Sequence, residues 1–127
     1  VGDSRIYLLH EGKLQQITKD HSLVWDLVEN GSITPEEAQQ HPKRNLLTRA
    51  VGVDEDLLVD TGAFPIVAGD KFLLCSDGLT NMVSDASIKN IIESIPAGDT
   101  AKLLIEQALA AGGIDNITAI LIEKRDA

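Results

Sequence analysis

The chain is 127 residues long, with 11 Lys and Arg against 20 Asp and Glu and a formal net charge of −9. Hydrophobic residues at 43% and charged residues at 24% are a globular balance, which excludes a disordered chain. The acid surplus argues against a nucleic-acid partner, because there is no basic surplus to displace counterions, and the single cysteine, Cys75, excludes an internal disulfide framework or a thiolate metal cage. No apolar run reaches the roughly 20 residues that a membrane-spanning helix needs. The opening Val1-Gly2-Asp3-Ser4-Arg5 is neither a signal peptide nor a lipidation signal and reads as the interior of a longer protein.

In chain order, residues 5–10 are β-rich and apolar, Gly12-Lys13 offers a turn, and Leu14 and Ile17 belong to a second short strand, which together make a hairpin. From Ser22 the period changes: Leu23, Val24, Leu27 and Val28 share a helical face that Gly31 can close. Thr34-Pro35-Glu36-Glu37 starts a second helix with an N-cap hydroxyl, proline at the first helical position and glutamate three residues after the cap, and Pro42 stops it near His41. The polar stretch 31–44 has little to bury and reads as a protruding flap. Residues 57–60 and 71–76 read as strands, the second apolar on both faces and therefore central and covered. Ser84 caps a helix with Ile88, Ile91, Ile92 and Ile95 on one face. Asp99 caps another that buries Leu104, Ile105, Ala108 and Leu109 and ends at Gly112-Gly113; residues 117–122 form a last apolar strand. Helices and strands are segregated, which predicts an α+β fold with mostly antiparallel pairing.

Three aspartates stand where a predicted strand begins or ends beside glycine: Asp3, Asp77 in Ser76-Asp77-Gly78, and Asp115 in Gly112-Gly113-Ile114-Asp115-Asn116. Carboxylates gathered at strand mouths repel one another unless a hard divalent cation sits among them. Asp-Gly and Asp-Asn are also ordinary turn chemistry, so the residues by themselves allow either a turn or an acidic metal site.

The motifs narrow this. Val1-Gly2-Asp3-Ser4-Arg5, Asp20-His21-Ser22, Leu47-Thr48-Arg49-Ala50-Val51-Gly52, Leu74-Cys75-Ser76-Asp77-Gly78-Leu79-Thr80 and Gly113-Ile114-Asp115-Asn116-Ile117-Thr118 occur in this order. In them the chain resembles, over essentially all 127 residues, the C-terminal part of the type 2C (PPM-class) metal-dependent protein serine/threonine phosphatases. Residues 31–38 and His41-Pro42-Lys43-Arg44-Asn45 resemble the bacterial members. The resemblance implies an α-β-β-α sandwich of two antiparallel sheets flanked by helices, with the N-terminal half missing and a flap at about residues 24–50. It implies two Mg²⁺ or Mn²⁺ ions, and a possible third. Asp77 and Asp115 resemble ligands of one ion of the pair, and Asp3 a ligand of the third site shared with Asp77. The implied reaction is hydrolysis of phosphoserine and phosphothreonine in proteins by a water bridging two metals. The implied partners are phosphoproteins whose phosphates come from a serine/threonine kinase, in the cytoplasm.

The family's N-terminal half supplies a Glu-Asp pair, an Asp-Gly motif that bridges the metals and a phosphate-gripping arginine, none of which has a counterpart here. The resemblance thus implies that 1–127 is the C-terminal portion of a catalytic domain, inactive by itself and ready to self-associate or exchange strands. The alternative is a non-catalytic regulatory or binding module of the same fold, against which the presence of all three aspartates speaks. Cys75, in an apolar strand without a glycine-rich phosphate loop, reads as core. His41 and Arg44 in the flap read either as contacts to a phosphosubstrate or as local supports. His21 reads as a general acid or, with more support, as a packing group at a helix start. Arg5 reads as the partner of a structural carboxylate, and Trp25 as a packing residue.

Overall fold

The structure is a computed structural model in which residues 1–126 are described. The elements are β1 (Arg5–His10), β2 (Lys13–Gln16), α1 (Leu23–Glu29), α2 (Pro35–Gln40), β3 (Lys71–Cys75), α3 (Asp77–Thr80), α4 (Asp85–Ser94), α5 (Ala97–Ala110) and β4 (Ala119–Glu123). They form two units, each described by itself: one of residues 1–3 and 19–63, the other of residues 4–18 and the chain from Phe64 onward.

The second unit is a four-stranded antiparallel sheet in the order β2-β1-β3-β4 with α3, α4 and α5. The hairpin joins β1 to β2 through Glu11 and Gly12, both at positive φ (47° and 76°), the pair of left-handed residues that suits the twist of a two-residue hairpin. Alternation then sorts the side chains. Tyr7, Leu9, Leu73 and Cys75 are buried with Leu79, Val83, Ile88, Ile92, Leu104 and Ala108 in one core. On the opposite face the register aligns Ile6 with Leu74 and Ile120, and Leu8 with Phe72 and Ile122. Ile120 and Ile122 are 53% and 49% exposed. β3 is therefore central, as expected, but it is not covered on both faces, because the helices lie over only one.

Helix ends follow their chemistry. Ser84 Oγ accepts from Ser87 N–H, and Ile88 and Ile92 of the predicted stripe are fully buried. α5 starts at Ala97 rather than after Asp99, with Pro96 at the cap and Thr100 Oγ1 bonded to Pro96 O (3.0 Å). It ends in a Schellman motif: Gly113 N–H donates to Ala108 O (3.0 Å) and Gly112 N–H to Leu109 O (3.1 Å). Leu109, expected inside, is 58% exposed. Two polar clamps tie elements together. Arg5 Nη1 donates to the Tyr7 hydroxyl, which donates to Asp85 Oδ1 at the start of α4, both at 2.8 Å. Burial above all raises the Tyr7 pKa, so the hydroxyl keeps its proton. His10 Nδ1 meets the buried Asp70 at 2.6 Å, joining the hairpin to the turn before β3.

In the first unit, Ser22 Oγ caps α1 by accepting from Trp25 N–H (3.2 Å). Thr34 and Glu37 form the expected capping box on α2, with Pro35 in its first turn. Neither helix has a fully buried residue, and Trp25 is half-buried. Residues 46–48 run antiparallel to 21–23, with Leu23 N–H donating to Leu46 O (3.0 Å) and Thr48 N–H to His21 O (2.9 Å). Residues 57–60 are not a strand. Among the described residues no neighbour forms a ladder with them, and Leu58 O instead accepts from the Arg49 guanidinium (3.3 Å).

Two outcomes are expected from these clamps. Tyr7→Phe removes the hydroxyl that joins Arg5 to Asp85 and lowers stability by about 1–2 kcal/mol in urea denaturation. Asp70 raises the His10 pKa above its ordinary value of 6.5, chiefly through their hydrogen bond. That contribution is complete below about pH 6.5 and fades as pH rises through the elevated folded value. The Asp70 carboxyl is held below its ordinary 3.8 by the Val67 N–H and then by His10, so its contribution fades as pH falls through the depressed value. Denaturation midpoints measured across pH 3–9 should show His10→Phe abolishing the upper limb and weakening the lower one, which the Val67 N–H still supports.

Candidate functional site

Asp77 and Asp115 are brought to the same end of the sheet by the pairing of β3 with β4. The ladder continues past Cys75↔Ala119: Ser76 N–H donates to Thr118 O (3.0 Å), and Thr118 N–H donates to Ser76 Oγ (3.0 Å). Asp77 then opens α3, and Asp115 lies in the turn that the Gly112-Gly113 cap launches toward β4. Asp115 Oδ1 accepts from the following Asn116 N–H at 2.6 Å, which orients the carboxylate.

Gly78 makes the approach possible. A Cβ at this position would fall 2.0 Å from Asn116 O and 2.9 Å from Asn116 C, both backbone atoms. Only a residue without a side chain lets the first turn of α3 lie directly against the Asp115-Asn116 turn. Gly78 stood in the motif, but its contact depends on a partner almost forty residues away, which no local pattern reveals.

The charged side chains here are carboxylates, a donor type that suits a hard divalent cation. Among the described residues no three His, Cys, Asp or Glu side chains converge closely enough to hold an ion. The strand pairing therefore places the Asp77 and Asp115 turns at one end of the sheet, with no third such side chain among the described residues to complete a site. Asp3 belongs to the first unit and is half-buried.

His41 and Arg44 are engaged locally. His41 ends α2, its Nδ1 accepts from Lys43 N–H (3.0 Å), and its carbonyl accepts from Arg44 Nη1 (3.3 Å). Arg44 is otherwise exposed. Asp60, which the sequence did not single out, bonds both His21 Nε2 (2.7 Å) and Arg49 Nη1 (2.8 Å). The His21 bond first, and the Arg49 bond next, hold its carboxyl below the ordinary range. Cys75 is buried in β3, as its apolar surroundings predict.

Comparison with known proteins fits this geometry. No protein-family model matches the chain. A serine/threonine phosphatase, stp, of Listeria welshimeri is 46% identical over 125 residues, which are 98% of this chain and 50% of that protein. The crystal structure of the Mycobacterium tuberculosis serine/threonine phosphatase PstP/Ppp superposes with a TM-score of 0.92 at 45% identity, over 99% of this chain and 53% of that one. In sequence and fold the chain corresponds to the C-terminal part of the bacterial PPM-type serine/threonine phosphatases. It spans about half the length of the relatives it matches. The catalytic domain of the serine/threonine phosphatase PstP, solved in complex with two manganese ions, matches with a TM-score of 0.83 at 43% identity, over 99% of this chain and 52% of that one.

Two glycines should respond to alanine with opposite sign. Gly78→Ala forces the Asp115-Asn116 turn away and costs about 1–3 kcal/mol, as overpacking does. Gly98, in the first turn of α5, has nothing within 4 Å of the point a Cβ would occupy, so Gly98→Ala stabilises by roughly 0.5–1 kcal/mol. Urea denaturation of the two variants checks both.

Proposed function

We propose that this chain is the C-terminal portion of the catalytic domain of a metal-dependent protein serine/threonine phosphatase, and that Asp77 and Asp115 ligate one divalent cation. The observation that supports this reading is the continued β3–β4 ladder, with Ser76 and Gly78 holding the two carboxylate-bearing turns together. Asp3 is a ligand for a further ion, and residues 24–50 are a flap beside the site in which His41 and Arg44 meet the phosphosubstrate. Mg²⁺ or Mn²⁺, when bound, supplies the Lewis acidity that activates water at neutral pH and offsets charge on the phosphoryl oxygens. The chain's own part is to hold carboxylate oxygens at fixed positions on a rigid strand end.

The apolar face of Ile6, Leu8, Phe72, Leu74, Ile120 and Ile122 supports the reading that a second sheet of an α-β-β-α sandwich covers it in a longer protein. The chain by itself is then inactive, and it self-associates through that face or by strand exchange. Its substrates are phosphoserine and phosphothreonine proteins, opposite a serine/threonine kinase in the cytoplasm. No helix among the described residues is long and apolar enough to cross a membrane. The presence of Asp3, Asp77 and Asp115 together favours this reading over a binding module.

The test is complementation. The purified chain with Mn²⁺ should hydrolyse p-nitrophenyl phosphate no faster than buffer. Mixed with the separately produced N-terminal half of the Listeria phosphatase, it should gain Mn²⁺-dependent turnover. Asp115→Asn should reduce that turnover at least about tenfold, since even outer-shell changes cost 10–100-fold. Efficient turnover by the chain alone, or an Asp115→Asn mixture as active as the unsubstituted one, overturns the proposal.

A further inference from the structure

Four hydrogen bonds converge on His21, which is 4% exposed. Its N–H donates to Gly2 O (2.9 Å) and its carbonyl accepts from Thr48 N–H (2.9 Å). In the ring, Nδ1 accepts from Gly2 N–H (3.1 Å) and Nε2 faces Asp60 Oδ2 (2.7 Å). A backbone N–H can only donate, so Nδ1 carries no proton, and Nε2–H donates to the carboxylate. With both nitrogens engaged, the ring has no proton to offer a substrate, which sets aside a general-acid role.

The bonds instead grip the residue just before Asp3. One main-chain bond and one ring bond join His21 to Gly2, whose φ of 96° is left-handed although open space surrounds it. Two of the four His21 bonds hold Gly2 in this conformation. Asp60, half-exposed on the far side of the ring, is pinned by Arg49 Nη1 (2.8 Å), which also reaches Leu58 O (3.3 Å).

We propose that His21, clamped by Asp60 and Arg49, is a positioning residue that fixes the Gly2–Asp3 backbone and so the direction in which Asp3 presents its carboxylate to a divalent cation. This rests on the metal-binding reading of Asp3 given above. Partners that orient a ligand change metal affinity about 10–100-fold; here the orienting group acts on the ligand's main chain.

The experiment is a Mn²⁺ titration of the isotope-labelled full chain, read by paramagnetic broadening of amide signals, with ring-nitrogen spectra of His21. Wild type should show Nδ1 unprotonated, Nε2 protonated, a scalar coupling across the Gly2 N–H···Nδ1 bond, and slow exchange of the Gly2 amide. Asp60→Ala should weaken the coupling, speed that exchange and lower the Mn²⁺ affinity read at Asp3 about tenfold, with broadening at Asp115 unchanged. His21→Asn keeps an oxygen acceptor for Gly2 N–H, whereas His21→Leu fills the space without one. Affinity at Asp3 should rank Asn above Leu, the reverse of a space-filling role. Unchanged Asp3 affinity in Asp60→Ala, an Nδ1–H tautomer in wild type, or broadening at Asp77 and Asp115 but not at Asp3 overturns the inference and leaves the phosphatase reading standing. Broadening at none of the three overturns the metal reading and this inference with it. If His21→Leu does not fold, Asp60→Ala, which alters a half-exposed side chain, decides.

Discussion

The second unit depends on β3 having an antiparallel neighbour on each side in a fixed register. Leu9 pairs with Lys71, so the next step outward sets His10 against Asp70, and the ion pair there is a consequence of register. At the other end Cys75 pairs with Ala119, so the next step sets Ser76 against Thr118, where a serine hydroxyl takes up a main-chain N–H. A slip of one residue would break both end clasps. It would also turn Leu73 and Cys75 from the core to the opposite face, since strand side chains alternate. Burial of that core therefore secures the geometry at the far end, where Asp77 and Asp115 emerge.

The same sheet is apolar on both faces and has helices on one. Tyr7, Leu73 and Leu104 are at most 1% exposed, while Ile120 and Ile122 are about half exposed in the same molecule. An apolar row aligned across three strands is unusual on a surface that faces only water. It accords with the half-length match to the bacterial phosphatases, and the two observations are independent: one comes from the packing of this chain, the other from the length of its relatives.

What was legible in the sequence was whatever local chemistry decides. The Thr34-Pro35-Glu37 start, the Ser84 cap with its isoleucine stripe, and the Gly112-Gly113 stop each form as their residue types require. The failures share a cause in long-range contacts. Residues 57–60 have strand-like composition but, among the described residues, no strand paired with them, and their polar groups go to Arg49 and His21 instead. Residues 71–75 are apolar throughout, but composition cannot say how many layers cover them. Asp77 and Asp115 were visible as carboxylates at strand mouths; the Ser76 and Gly78 contacts that hold their turns together span about forty residues and follow only from register. The His21–Asp60 bond, 39 residues apart in sequence, was hidden for the same reason.

The two units are held together by different forces, and this bears on how their aspartates could be used. The second unit has a buried apolar core. In the first, α1 and α2 bury no residue fully, Val51, Val53 and Leu58 are largely exposed, and the enclosed residues are Asp20, His21 and Ser22. Hydrogen bonds contribute about 1 kcal/mol each net, much less than a buried aliphatic side chain and its packing, so the first unit should open at lower free energy than the second. Asp77 and Asp115 stand on the element anchored by the apolar core. Asp3 stands on the segment anchored by polar contacts to His21. The geometry of such a segment is set by a few hydrogen bonds, so the direction of Asp3 can change without disturbing the strand ends that carry Asp77 and Asp115.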